Sequence, residues 1–569
     1  MLRVHVCSRL VFAGVSLMCA LVPVCSAQSG TEQAKVKSAA MLDPAQVKTI
    51  RTYISSAWDT LTRSMADCKS VVDPKLAEQA ILYLPAGLAV PPSVQAMQQQ
   101  CNAQVKNLPA EIHGPGEVDT YKFEPHGLLY LENPYVVPGG RFNEMYGWDS
   151  YFIIRGLVRD GRTELARGMV DNFFFEIDHY GTILNANRTY YLTRSQPPFL
   201  TGMILAVYDS EKAAGKPDNA WLAKAYQFAG KDYAMWTREP HKAGLTGLSR
   251  YYDFGEGPVP EGRKDEGKLH RKAVAYLAAH PELAGGFLEE RKAGDTRELH
   301  DPNYMVEVCS ETLTMDKAGC EPKSTVHLTR DFYKGDRATR ESGFDISFRF
   351  GPYGAATHHF APVCLNSLLY KTEKDLEAMA RLLGRAREAQ EWREKAETRA
   401  EIMRRLFWDA SRGQFFDYDF EAGKRSSYEY ASTFYPLWTG WATAEQAKAV
   451  REHLKTFELA GGIVTSPTDS GLQWDFPFGW APLQLIAVEG LRNYKFDADA
   501  DRVAGKFLST VMENFQRDGT IREKYDMVTR SSQTNVAVGY QMNVIGFGWT
   551  NGVFLALADG LDKAGAGRE

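Results

Sequence analysis

Charge of one sign is scarce in this chain: 66 basic side chains stand against 71 acidic ones in 569 residues, a formal charge of −5. Without a basic excess there is no sequence-wide attraction to phosphates or to an anionic membrane surface, which argues against nucleic-acid and membrane-surface functions. None of the eight cysteines forms a Cys-x-x-Cys pair, so the usual zinc spacing is missing, and no complete EF-hand calcium loop is present. No Pro/Gly/Ser linker divides the chain, and no repeat of roughly 20–50 residues is visible. With 44% hydrophobic and 24% charged residues the composition is globular rather than disordered. One large catalytic domain with an N-terminal extension is expected.

The chain also has little that could cross a bilayer. Its leading apolar run, Leu10–Val24, is shorter than the roughly 20 residues a spanning helix needs. Arg3, His5 and Arg9 precede it and Cys25-Ser26-Ala27 follow it. That pattern reads as an export leader, residues 1–27, cleaved after Ala27, and predicts a periplasmic or secreted protein with no membrane contact after cleavage. An oxidising compartment permits Cys68 to pair with Cys101, and Cys309 with Cys320. Cys364 lies in Phe360-Ala361-Pro362-Val363-Cys364-Leu365 and reads as a buried thiol acting as a small hydrophobe. His358 and His359 are neighbours, and adjacent residues do not share a helix face, so no metal or cofactor site is expected there.

Beyond the leader, residues 28–120 carry helical patches and read as an extension packing on the catalytic domain. From Tyr121 the chain consists of amphipathic segments of 10–20 residues broken by Gly, Pro or Asp, with few period-2 strands. Leu376, Met379, Ala380 and Leu383 fit i, i+3, i+4, i+7, and a second stripe follows at Trp392, Ala396, Ala400, Met403 and Phe407. Similar segments recur around Leu157–Phe175, Thr201–Ala213, Ala220–Trp236, Thr443–Thr456, Ala481–Tyr494 and Asp499–Arg517. Consecutive helical hairpins of this kind predict an all-α toroid. The longest connection, about 251–340, is rich in charge and reads as a loop with an ordered rim and a mobile middle.

The chemistry-bearing residues are aromatics interleaved with carboxylates, amides and arginines at segment ends. Pro138-Gly139-Gly140-Arg141-Phe142-Asn143-Glu144-Met145-Tyr146-Gly147-Trp148-Asp149-Ser150-Tyr151 is one cluster, and Asn185 to Pro198, with Arg194-Ser195-Gln196, is a second. Gln473-Trp474-Asp475-Phe476-Pro477-Phe478-Gly479-Trp480-Ala481-Pro482 is a third. Such mixtures suit a sugar: aromatic faces cover the C–H side of a pyranose, while carboxylates, amides and guanidinium forks take its hydroxyls.

The first and third clusters resemble the two signatures of the trehalase family (glycoside hydrolase family 37). Further similarity covers Arg340-Glu341-Ser342-Gly343-Phe344-Asp345, Glu523-Lys524-Tyr525-Asp526 and Gly546-Phe547-Gly548-Trp549-Thr550-Asn551-Gly552. The resemblance implies an (α/α)6 barrel over about 121–562 that hydrolyses α,α-trehalose to two glucoses with inversion. It implies a disaccharide as substrate, with Asp345 as general acid and Glu523 as general base; a monomer is expected. Substrate-binding roles carry over to Arg141, Trp148, Asp149, Asn185, Arg194, Ser195, Gln196, Glu261, Arg340 and Gly343. Where bacterial relatives carry Arg-Pro-Glu, this chain has Val259-Pro260-Glu261, and Arg340, placed as in the neutral trehalases, is expected to supply the missing guanidinium. The stretch Val536–Val544 holds no carboxylate, although many family members place a sugar-binding glutamate there. Two alternatives arise from that departure: hydrolysis of another short α-glucoside, or a non-catalytic sugar-binding protein.

Overall fold

A computed structural model describes residues 42–73, 79–124, 126–262, 266–291, 306–309, 323–534, 536 and 543–566. The leader reading, the partner Cys320 and most of the 536–544 stretch lie outside the described residues. In chain order the principal helices are α1 (Pro44–Leu61), α2 (Gly147–Arg159), α3 (Thr163–Tyr180), α4 (Leu200–Ala213), α5 (Asn219–Thr237), α6 (Glu266–Ala279) and α7 (Arg330–Glu341). They continue as α8 (Val363–Leu382), α9 (Ala386–Phe407), α10 (Tyr435–Thr439), α11 (Ala444–Glu452), α12 (Ala481–Asn493), α13 (Asp497–Asp518) and α14 (Gly548–Ala566).

Their contacts close a ring. Helix α2 packs on α4, α4 on α8, α8 on α10, α10 on α12, α12 on α14, and α14 returns to α2. Outside it, α3 bridges α2 and α4, α5 bridges α4 and α8, α9 lies on α8, and α13 bridges α12 and α14. This is the (α/α)6 barrel. Sequence pattern decides the layer. Helix α9 buries one stripe, Ala389, Ala396, Arg399, Ala400, Met403 and Phe407, as an outer helix should. By contrast, α2 buries nearly every residue from Gly147 to Leu157, as a helix in the inner ring must.

Two expectations, for Leu157–Phe175 and for 251–340, need correction. Within 28–120, α1 packs on α13 and α14 as an outer helix of the barrel. The same segment adds a parallel sheet, with Ala80–Leu84 between Ala103–Asn107 and Leu128–Leu129, next to the Cys68–Cys101 disulfide. The segment Leu157–Phe175 is two helices, since α2 stops at Arg159 and α3 begins at Thr163, with Gly161 at φ +74° between them. The 251–340 connection is structured where described: it holds α6, α7 and an antiparallel sheet with Lys323–Leu328 between Leu288–Arg291 and Val306–Cys309. Its charge had masked an apolar stripe, Ala273, Val274, Leu277 and Ala278, which buries against Val326, Leu328, Phe332 and Tyr333 in a second small core.

Ring closure depends on two glycines. At the α2–α14 crossing, a Cβ on Gly552 would lie 2.0 Å from the Phe152 carbonyl oxygen, and one on Gly156 would lie 2.7 Å from the Gly552 Cα. Backbone cannot yield as a flexible side chain does, so any side chain here forces the helices apart. Gly552→Ala is expected to destabilise the protein by about 3 kcal/mol or more, checked by urea unfolding against the parent.

Candidate active site

The signature residues gather where the inner helices begin. Trp148 and Asp149 occupy the first turn of α2, Trp480 precedes α12, and Trp549 is in the first turn of α14. Trp148 meets the rings of Phe344, Trp549 and Trp474 at centroid distances of 5.5, 5.6 and 5.9 Å. Trp474 stacks on Trp480 at 3.9 Å. Gly343, at φ +76°, presses so closely that a Cβ there would sit 2.9 Å from the Trp148 indole. A side chain would be disfavoured both by that conformation and by the ring.

Asp345 lies in the loop after α7, and Glu523 just before the short strand Lys524–Asp526, which pairs with Phe478–Trp480. Two residues link them. The Gln473 amide nitrogen donates to the Asp345 carbonyl at 2.5 Å, while its oxygen lies 3.3 Å from Lys524 Nζ. That ammonium stands 3.7 Å from Glu523 Oε2. Burial lowers the Lys524 pKa, and Glu523 and then Asp345 offset part of that fall. The Glu523 backbone is pinned as well: its N–H donates to Asn543 Oδ1 at 3.1 Å, and its carbonyl accepts from Trp549 Nε1 at 3.2 Å.

Burial pushes the Asp345 carboxyl up to about 6, although Arg340, its own backbone N–H and Arg194 pull it down. Asp149 is held well above the usual carboxylate range, first by burial, then by the negative charges of Glu523 and Asp345. One buried carboxyl thus feels both others, which places all three in a single electrostatic cluster.

An arginine layer ties the neighbouring loops together. Arg194 reaches Glu261 Oε1 at 2.5 Å and Asp253 Oδ2 at 3.5 Å. Asp253 also accepts from Arg337 at 3.0 Å, and Arg337 donates further to the carbonyls of Glu256, Gly257 and Pro258. Burial alone would raise the Asp253 pKa, but Arg337 and Arg194 outweigh it and hold the carboxyl below its ordinary value. Glu341, fully buried, accepts from the backbone N–H of Ser195 at 3.2 Å and of Tyr252 at 2.6 Å, and faces His241 at 3.2 Å. The Gln196 side-chain oxygen accepts from Trp148 N–H at 2.9 Å, and Asn185 is tied to Arg194 through its backbone N–H at 2.9 Å.

The structure therefore brings together Trp148, Asp149, Asn185, Arg194, Ser195, Gln196, Glu261, Arg340, Gly343, Asp345 and Glu523. Arg340 pairs with Asp336 at 3.3 Å, within electrostatic reach of Asp345. Arg141 is exposed, with its guanidinium 5.4 Å from the Phe142 ring. Sequence reading missed Arg337, Asp253, Glu341, His241, Gln473, Lys524 and Asn543; Glu341, Gln473 and Lys524 lay inside the quoted motifs and Asn543 inside the 536–544 stretch, whereas nothing local marked the others. A separate cavity of about 500 Å³, lined by Arg155, Lys371, Trp438 and Glu489 among others, opens toward the C-terminal ends of the inner helices.

The family model described as Trehalase matches residues 25–303 and 304–562. The chain belongs to the trehalase family. It is thus a glycosidase by family. It is 34% identical over 562 residues to a probable trehalase of Eremothecium gossypii, covering 88% of this chain and 70% of that one. It is 38% identical over 453 residues to the cytosolic neutral trehalase of Saccharomyces cerevisiae, covering 74% and 56%. The chain thus spans little more than half the length of several curated relatives it matches. Among solved structures, neutral trehalase Nth1 from Saccharomyces cerevisiae superposes with a TM-score of 0.71 at 32% identity, over 90% of this chain and 94% of that one.

These relatives overturn the expected location. Those of Saccharomyces cerevisiae, Kluyveromyces lactis and Beauveria bassiana are named cytosolic neutral trehalases, and they point to the cytoplasm rather than to a periplasmic or secreted protein. An apolar run behind a few basic residues was too generic a signal to carry the export reading.

Removing one partner from a buried charge pair leaves the other uncompensated, typically at a cost of about 3–5 kcal/mol. Arg337→Met is therefore expected to lower stability by about 3 kcal/mol and to raise KM more than it lowers kcat, because Asp253 and the 256–258 carbonyls lose their anchor. Urea unfolding and steady-state kinetics read the two effects separately.

Proposed function

We propose that the protein hydrolyses α,α-trehalose to two glucoses with inversion at one anomeric carbon. Asp345 acts as the general acid and Glu523 as the base that activates water. The supporting observation is that two carboxyls from distant chain positions share one buried cluster but sit beside different cations. Breaking an acetal with inversion requires one carboxyl to arrive protonated and the other ionised. Burial gives Asp345 the first property, with a pKa of about 6. The Lys524 ammonium, 3.7 Å from Glu523, favours the second.

Trp148, Trp474 and Trp549 offer ring faces to a pyranose, and Arg194, Glu261, Arg340, Asn185 and Gln196 take its hydroxyls. Asp149, its carboxyl held above the ordinary range first by burial and then by the charges of Glu523 and Asp345, lines the same cluster. Each half of the reaction loses its driving group on substitution. Asp345→Asn and Glu523→Gln are each expected to lower kcat by about 10³-fold or more, with the fold retained by circular dichroism. Proton NMR during turnover should show β-glucose appearing first from one half of trehalose. Equal or faster cleavage of maltose or kojibiose would favour the alternative, a hydrolase of another short α-glucoside.

The pH dependence has a definite sign. A general acid works only while protonated, and its protonated fraction falls tenfold per pH unit above its pKa. The kcat/KM for trehalose should therefore fall as pH rises through about 6, measured as a rate profile of the free enzyme. Because the folded pKa lies above the unfolded value of 3.8, the folded state binds the extra proton, and this carboxyl's contribution to stability declines as pH climbs between those two values. Asp345→Asn removes that penalty, so at pH about 8 the inactive variant should melt no lower than the parent.

A further inference from the structure

A second cluster lies outside the carboxylate site. Asp331, in the first turn of α7, meets the adjacent pair His358 and His359, carried by the short turn Thr357–His359. One oxygen, Asp331 Oδ1, stands 2.9 Å from His358 Nε2 and 3.6 Å from His359 Nε2. The three potential donor atoms all fall within 4.8 Å of one another. We propose that Asp331, His358 and His359 form a binding site for a single divalent transition-metal ion of the zinc type, with further coordination open to water.

The distances suit such an ion. Bonds of about 2.1 Å in a tetrahedral arrangement put neighbouring donor atoms about 3.4 Å apart, and the two observed separations bracket that value. Two imidazoles and one carboxylate are also the donor set that borderline ions prefer over calcium or magnesium, which take oxygen ligands. The histidine side of the site is held rigidly. The Arg250 guanidinium donates to the His358 carbonyl at 2.9 Å, and the Phe420 N–H donates to the His359 carbonyl at 3.1 Å. His358 is buried. His359 and Asp331 are half-buried, which leaves a path for the ion and for completing waters.

Adjacent histidines do not share a helix face, yet these are not on a helix face; the turn at 357–359 splays them so that their rings, 4.0 Å apart, converge on one carboxylate. A bound ion would fasten the start of α7 to that turn. Helix α7 carries Arg337, Arg340 and Glu341 toward the carboxylate cluster, so the ion would brace the arginine layer from its far end. Binding needs no redox partner.

Zinc chloride titrated calorimetrically into the untagged full-length protein is expected to bind one to one, with Asp331→Asn and His359→Gln each weakening it at least tenfold. His359 is partly exposed, so His359→Gln should melt close to the parent without metal. Zinc should raise the Tm of the parent and slow amide exchange along residues 330–341. Cobalt(II) added to the parent should give the intense visible band of a four-coordinate site. No saturable zinc binding, or binding unchanged in both variants, or only the weak absorption of octahedral cobalt, overturns the proposal.

Discussion

Keeping carboxylates inside a largely apolar ring is the constraint around which the rest of this molecule is arranged. An isolated buried charge is far too costly, so each acid must either receive a cation or keep its proton. The protein does both within one cluster. Asp253 gets two guanidinium groups and stays ionised, and Glu341 gets two backbone N–H groups and a histidine. Asp345 and Asp149 are given less and remain protonated well above the range in which a surface acid would lose its proton. The chemistry follows from that unequal supply of partners rather than from any one residue type.

The inner helices make the arrangement possible. They present their first turns to the same region, so Trp148 and Asp149, Trp480 and Trp549 come together from positions up to 401 residues apart. The loops feeding those helices carry Asn185, Arg194, Gln196, Asp345 and Glu523. Long buried pairs such as Arg337 with Asp253 then tie loop to helix. Replacing the pairs by apolar residues would not obviously weaken the fold, which suggests that their value lies in holding loop geometry.

Much of this was legible in the amino-acid order. The period of the stripes at Leu376–Leu383 and Trp392–Phe407 gave helical hairpins, and the aromatic-acidic stretches marked the residues that gather at the start of the inner helices. Local pattern failed where meaning depends on distant partners. Asp253, Arg337 and His241 look like ordinary residues of a charged connection until folding joins them to Arg194 and Glu341. In the same way Asp331 gives no hint that it faces His358 and His359. Within 251–340, surface charge hid the buried stripe at Ala273–Ala278.

The seam between α2 and α14 has one more implication. The first inner helix finds its neighbour only in the last, and Trp549 on that last helix also supports Glu523. A growing polypeptide leaving the ribosome can therefore build hairpins as it emerges, but it cannot seal the circle until residues beyond 548 are released. Premature termination anywhere upstream leaves an open horseshoe with its apolar edges bare, and quality control would meet a sticky intermediate rather than a partly working enzyme.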